Sequence, residues 1–326
     1  MPEITYSPSY TLVPTYECFN HCSYCNFRVE PGTDSWLTLS KAEETLEVLE
    51  KTIEILILSG EVHSQSQQRQ KWLMHIYKLC QLAIEKDFLP HTNAGPLSLE
   101  EMSKLKQVNV SMGLMLEQLT PTLMKNVHRR APSKKPEVRL QQLDWAGTLG
   151  IPFTTGLLLG IGETEADWDE TLDEIANLHR IHGHIQEVIL QPHQPGNRQH
   201  HLGPPCDDRM LLKCVKQARQ ILPTDIAIQI PPNLVQSEQT IIDCLEAGAT
   251  DLGGIGPIDE VNPTYPHHSF IALKKLLNIH GYKLRPRLPV YPQYDNWLPQ
   301  TLKTKVQLWR TQLDQDEFNF PKVRNP

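Results

Sequence analysis

The feature that most limits how this chain can fold is an alternation. Short apolar runs of strand character are separated, eight times over, by longer segments of helical character. The strand candidates are residues 10–15, 53–60, 87–93, 108–114, 152–160, 186–192, 225–232 and 249–256. Helices fit between them. Ser40 with Glu43, and Ser98 with Glu101, have the spacing of capping boxes. Further helices are expected at 136–149, 165–180, 207–221, 237–247 and 267–280. No linker or internal repeat interrupts the series. Parallel strands need crossover connections, and helices supply them. Eight βα units therefore predict an α/β fold with a single closed (β/α)8 TIM-type barrel over residues 1–288. The remainder, 289–326, is rich in Pro, Gln and charge. It is expected to wrap the outside or fray.

In such a barrel the active site lies at the C-terminal ends of the strands, and those ends carry polar or glycine residues here. They include Ser59, Gly60 and Glu61, then His91 and Asn93, then Glu117. Further on come Gly160, Gly162 and Glu163, Gln191 and His193, Gln229 and Asn233, and the glycines from Gly253 to Gly256. The glycines read equally well as turn residues.

The loop after the first strand reads ECFNHCSYCNFR and places Cys18, Cys22 and Cys25 within eight residues. A closed structural zinc site wants four ligands. The spacing C-x3-C-x2-C supplies three, with His21 between two of them. Soft thiolates in a tight loop suit iron–sulfur ligation, and three on a four-iron cluster leave one iron open to a chelating ligand. A non-catalytic zinc barrel using His21 is the alternative from a different class. The other cysteines, Cys80, Cys206, Cys214 and Cys244, are scattered and read as buried thiols.

Charge and composition narrow the partners. The net charge of −7 leaves no nucleic-acid or anionic-membrane footprint. The basic stretch of His128, Arg129, Arg130, Lys134 and Lys135 reads as a solvated loop. The start MPEITYSPSYTLVP does not read as a signal peptide, and no apolar run is long enough for a transmembrane helix. Seven cysteines, an odd number, fit a reducing compartment, so a cytoplasmic location is expected.

The cysteine loop, with Tyr24 before Cys25, resembles the signature of the radical S-adenosylmethionine (SAM) superfamily. The resemblance implies a 4Fe-4S cluster on Cys18, Cys22 and Cys25, with SAM chelating the open iron and cleaved to a 5′-deoxyadenosyl radical. It assigns Tyr24 to the cofactor site and puts Ser59, Gly60 and Glu61 at the SAM amino group, Ser59 standing where relatives carry glycine. It also puts Glu117 at the ribose or amino acid of SAM, and Gly160 and Gly162 against the adenine. HTNAGPLS, SMGLMLE, IPFTTGLLLGIGET, IQIPPNL and LGGIGPIDEVNP resemble the first-subunit family of FO synthase. This likeness runs over about residues 10–285 and departs locally at Phe19, Asn20 and His21 and in QPHQPGNRQHH.

That family membership implies a lyase. Its substrate is an adduct of a hydroxybenzyl group and a ribitylamino-uracil, made by a second FO synthase subunit. It is cyclised with loss of ammonia to 7,8-didemethyl-8-hydroxy-5-deazariboflavin. An unidentified electron donor is implied too. His91, Asn93, Gln191, Gln229 and Asn233 are the candidate substrate contacts. Another radical SAM enzyme of the same barrel type, such as the second subunit or a menaquinone-pathway enzyme, is the nearer alternative.

Overall fold

A computed structural model describes residues 1–199, 203 and 205–314. Residues 315–326 of the expected C-terminal extension, and part of the end of QPHQPGNRQHH, lie outside the described residues.

Eight parallel strands close a barrel: β1 (Glu3–Leu12), β2 (Glu54–Leu58), β3 (Leu89–Asn93), β4 (Ser111–Gly113), β5 (Phe153–Leu159), β6 (Ile185–Pro192), β7 (Ala227–Gln229) and β8 (Asp251–Ile255). They pair in sequence order, and β1 closes the ring by pairing with both β8 and β2. A ninth strand, β9 (Lys283–Pro286), adds to β1 below β2. Alternating strand residues face the helices. Ile55 and Ile57, for instance, pack with Trp72, Ile76 and Leu79 of helix Arg69–Glu85 in the main core.

The first strand differs from expectation. It spans Glu3–Leu12 rather than 10–15, and it carries Pro8 in its middle. Pro8 is tolerated because the neighbour along that edge changes there. Glu3 to Tyr6 pair with β9 and Ser9 to Leu12 pair with β2. No ladder partner asks for the missing amide proton at the changeover.

The cap of the first helix is Thr38, whose side chain accepts from the backbone N–H of Lys41, so the expected Ser40–Glu43 box does not form. The Ser98–Glu101 box does.

The tail corrects a second expectation. Residues 288–313 neither wrap the barrel nor fray. Leu288, Val290, Tyr294, Leu302, Val306 and Trp309 pack under the barrel against Ile53, Leu89 and Val110, which open or precede β2, β3 and β4. An amphipathic final helix (Gln300–Leu313) thus closes the N-terminal end. Arg287 reaches into the barrel above this plug. It bonds Asp251 through Nε (2.5 Å) and Nη2 (2.9 Å), and Glu187 through Nη2 (2.5 Å).

Candidate active site

The loop between β1 and the first helix is held by backbone bonds rather than regular structure. The N–H of Cys18 donates to Val29 (3.2 Å) and that of Val29 to Tyr16 (2.9 Å). Glu17 gathers the far side of the loop, accepting from the N–H groups of Gly32 and Asp34 and from the indole of Trp36. Two neighbouring segments anchor the near side. Phe19 N–H donates to the carbonyl of Glu61, while His21 and Ser23 donate to Arg130 and Val127. Gly60 is required by this docking, since a Cβ there would stand 2.1 Å from the Glu17 carbonyl oxygen.

Cys18, Cys22 and Cys25 are unbridged and line one cavity. Burial pushes the Cys18 thiol up to about 11 and the Cys22 thiol up to about 12. Among the described residues no three His, Cys, Asp or Glu side chains gather tightly enough to hold a single metal ion. His21 instead turns to Glu30, 3.7 Å away. The zinc alternative therefore finds no grouped ligand set among these residues. Cys80, Cys206, Cys214 and Cys244 are buried elsewhere, as expected.

The same cavity brings together Tyr24, Ser59, Gly60, Glu61 and Glu117. Tyr24 is half-buried, its hydroxyl 2.9 Å from His128 Nε2. Ser59 accepts from the Trp72 indole (2.9 Å) and donates to the Gly60 carbonyl (2.9 Å). The Glu61 carboxylate is fully engaged. Arg139 donates to Oε1 (3.0 Å), and Asn20 (2.8 Å) and Ser133 donate to Oε2. Glu117, at a left-handed φ of 66°, is paired to Lys134. Burial pushes its carboxyl up, and Lys134 and Arg139 more than offset this, leaving it below the usual range.

Lys134, Arg139 and Asn20 were not candidates in the sequence. Neither was Arg28, whose Nη2 lies 2.8 Å from Glu30 while its buried Nε has no partner at the cavity wall. Two of the five basic residues read as solvated are in fact structural, since His128 and Lys134 point inward while Arg129, Arg130 and Lys135 stay exposed.

Gly160 and Gly162 are not brought to the cavity wall. With φ of 87° and 113° they serve a turn folded on Glu163, whose carboxylate accepts from the N–H groups of Gly160 and Ile161.

A second cavity fills the barrel interior, and all five substrate candidates line it: His91, Asn93, Gln191, Gln229 and Asn233. Gln229, turned so that its amide nitrogen faces Glu187, donates there at 3.1 Å. Asn233 donates to Asp259 (2.9 Å) and to the carbonyl of Tyr265 (3.0 Å), which leaves its buried Oδ1 without a partner. The two cavities share one wall, formed by Leu58, Asn93, Met115, Gln191 and Val261.

Comparison with known proteins fits this arrangement. The family model described as the radical SAM superfamily matches residues 12–175. A curated relative from Nostoc sp., named 7,8-didemethyl-8-hydroxy-5-deazariboflavin synthase, is 63% identical over 94% of this chain and 91% of its own. The chain belongs to the deazariboflavin synthase family of radical SAM enzymes.

A second synthase of the family, from Trichodesmium erythraeum, is 58% identical over 95% of this chain and 98% of its own. Among solved structures the FeFe-hydrogenase maturase HydG from Carboxydothermus hydrogenoformans superposes with a TM-score of 0.71 at 18% identity, covering 97% of this chain and 79% of that one. That likeness speaks for the barrel alone. The family implies a 4Fe-4S cluster and SAM. Among the described residues no helix of this radical SAM chain is long and apolar enough to cross a membrane.

Proposed function

We propose that this chain is the cyclising subunit of a deazaflavin synthase. It takes the hydroxybenzyl adduct of ribitylamino-uracil and closes the third ring with loss of ammonia. The observation that carries this reading is the shared wall. A cavity lined by three thiols lies against a barrel cavity lined largely by polar side chains. The synthase name of relatives above 60% identity supplies the substrate class.

Cys18, Cys22 and Cys25 are proposed to hold the cluster. Three soft donors spread around a cavity wall suit several irons better than one ion. Burial makes the Cys18 and Cys22 thiols favour the proton on their own, and the positive charge of bound iron would favour the thiolate. The open guanidinium Nε of Arg28 fits a carboxylate, which SAM carries. Held by Cys18, Cys22 and Cys25, such a cluster would supply the one-electron chemistry that activates SAM for hydrogen-atom abstraction from the substrate.

The chain's own contribution is position and exclusion. Glu61, Asn20 and Arg139 fix the cysteine loop. Leu58 and Met115 form the dry part of the shared wall, where contact between the reacting atoms is needed. Asn93 and Gln191 carry both donors and acceptors, Asn233 offers its open Oδ1 as an acceptor, and together they suit the uracil ring. A second subunit would supply the adduct, and a separate donor the electron.

The test is turnover without oxygen. Given reductant, SAM and preformed adduct, this chain alone should release fluorescent deazaflavin, methionine, 5′-deoxyadenosine and ammonia. Given only tyrosine and ribitylamino-uracil, it should make none until the second subunit is added. Coupling of tyrosine to the uracil by this chain would assign it the other subunit's role. SAM cleavage without deazaflavin would leave the superfamily and remove the substrate.

A further inference from the structure

The barrel cavity has two chemically different ends. Its mouth carries the amides of Asn93, Gln191 and Asn233 beside Asp259 and Glu260, which already accept from Asn233 and Tyr16, and its floor carries Glu54, Glu187, Arg287 and His91. Glu54 opens β2 and is 8% exposed. Its Oε2 accepts from the Ser7 hydroxyl, and among the described residues no group bonds its Oε1.

His91 is equally buried, and two hydrogen bonds decide its tautomer. Ser111 Oγ donates to the Pro289 carbonyl at 2.5 Å, so it can only accept from His91 Nδ1–H at 2.7 Å. Nε2 is then a bare acceptor. Burial drives the His91 pKa down to about 3, which keeps the ring neutral. Gly113 leaves room beside that lone pair, since a Cβ there would lie 2.9 Å from Nε2. The neighbouring charges are spent on one another. Arg287 binds Asp251, Glu187 and the Leu288 carbonyl, and Glu187 also accepts from Thr154. The open valence of His91 at the floor therefore accepts a hydrogen bond, and that of Glu54 accepts one when ionised and donates one when burial keeps its proton on.

We infer that the barrel floor binds the polyol tail of the substrate, with Glu54 Oε1 and His91 Nε2 taking its hydroxyls. This rests on the proposed function and gives the substrate a direction. The ribityl chain points down the barrel, the uracil sits among the amides, and the aromatic group reaches the wall shared with the cofactor cavity. Reversed, the uracil could meet Glu54 and His91 only through its N–H edge, with the fixed carbonyls beside it facing their lone pairs, whereas each freely rotating hydroxyl can turn its own proton to the group it meets. A hydroxyl both donates and accepts, so it suits Glu54 with or without a proton.

The test is calorimetric binding to the full chain reconstituted with its cluster and SAM. Two compounds are compared: ribitylamino-uracil and a methylamino-uracil that lacks the polyol. The ribityl compound should bind about tenfold tighter or better, as two hydrogen bonds to buried groups warrant. Glu54→Leu and His91→Phe should each erase most of that preference and leave the methyl compound's affinity unchanged. Equal affinities in the unaltered protein would overturn the inference, and so would variants that weaken both compounds alike. The unaltered protein alone decides if a variant folds poorly. Turnover separates the two readings. A preserved polyol preference with no deazaflavin from the adduct supports the floor site and sinks the proposed reaction. Deazaflavin formed with no polyol preference sinks the floor site alone.

Discussion

The cysteine-lined cavity takes much of its wall from one stretch, residues 18–28, whereas the barrel cavity collects one to three residues from every barrel strand. The first is a loop whose chemistry is written in one place and whose shape must be imposed from outside, by Glu61, Arg139 and the segment 127–133. The second is a rigid sheet interior whose shape is guaranteed by closure and whose chemistry is dispersed. The contrast teaches where each region is fragile. The loop depends on tethers, and the floor depends on charge balance.

The largest effect should come from breaking the loop's chemistry. Cys22→Ala should lose bound iron and all SAM cleavage, as should Cys18→Ala and Cys25→Ala. Cys80→Ala and Cys214→Ala should keep both. Iron analysis and 5′-deoxyadenosine formation read the difference, and full cluster occupancy in Cys22→Ala would end the ligand assignment.

Next is the floor's charge balance. Arg287→Met leaves Asp251 and Glu187 buried without their cation and should cost about 3–5 kcal/mol by denaturant titration. A loss under about 1 kcal/mol would mean that the cluster rearranges freely.

The same acids give a pH signature. Burial, reinforced by Asp251 and Glu54 against the opposing Arg287, raises Glu187 from 4.5 to about 8. Folding thus retains a proton that the unfolded chain releases. The stabilisation is complete below about pH 4.5 and is lost as pH rises through 8. Asp251 is lowered, so its own contribution is lost only as pH falls below the ordinary aspartate range. The unaltered protein should therefore lose stability between pH 5 and 8 relative to Glu187→Gln, on the order of a few kcal/mol. Parallel pH curves for the two proteins would contradict the assignment.

Tether loss should be milder for chemistry than cysteine loss. Glu61→Ala strands Arg139 and frees Asn20, so SAM affinity measured by calorimetry should fall about tenfold or more, with some cluster retained. Unchanged affinity would remove Glu61 from the site.

Gly162→Ala should have the smallest effect. Its φ of 113° strains an alanine, costing about 1–2 kcal/mol in melting experiments while SAM affinity stays put. A drop in affinity would return the turn after β5 to the cofactor pocket.

How legible each part was follows from range in the chain. Cys18, Cys22 and Cys25 were readable because their spacing is local. The five barrel candidates, His91 to Asn233, were readable because strand ends face one mouth whatever the details of closure. Gly160 and Gly162 lie off the wall of the cysteine cavity in a turn, and a glycine enforced by a turn looks in a sequence like one enforced by a ligand. Lys134 and Arg139 were hidden because their carboxylate partners, Glu117 and Glu61, lie 17 and 78 residues away.

The sequence by itself determined the alternation of strand and helix, and so the barrel, because hydrophobic period and connection length are properties of neighbouring residues. It determined the cysteine spacing for the same reason. Only the tertiary structure decided that the tail plugs the barrel rather than wrapping it, that Pro8 lies at a change of strand partner, and that Glu54, His91, Glu187, Asp251 and Arg287 share one floor. Those outcomes depend on contacts between residues far apart in the chain, such as Glu3 paired with Lys283 and Ser111 with Pro289 at a separation of 178, which take shape only when the barrel closes.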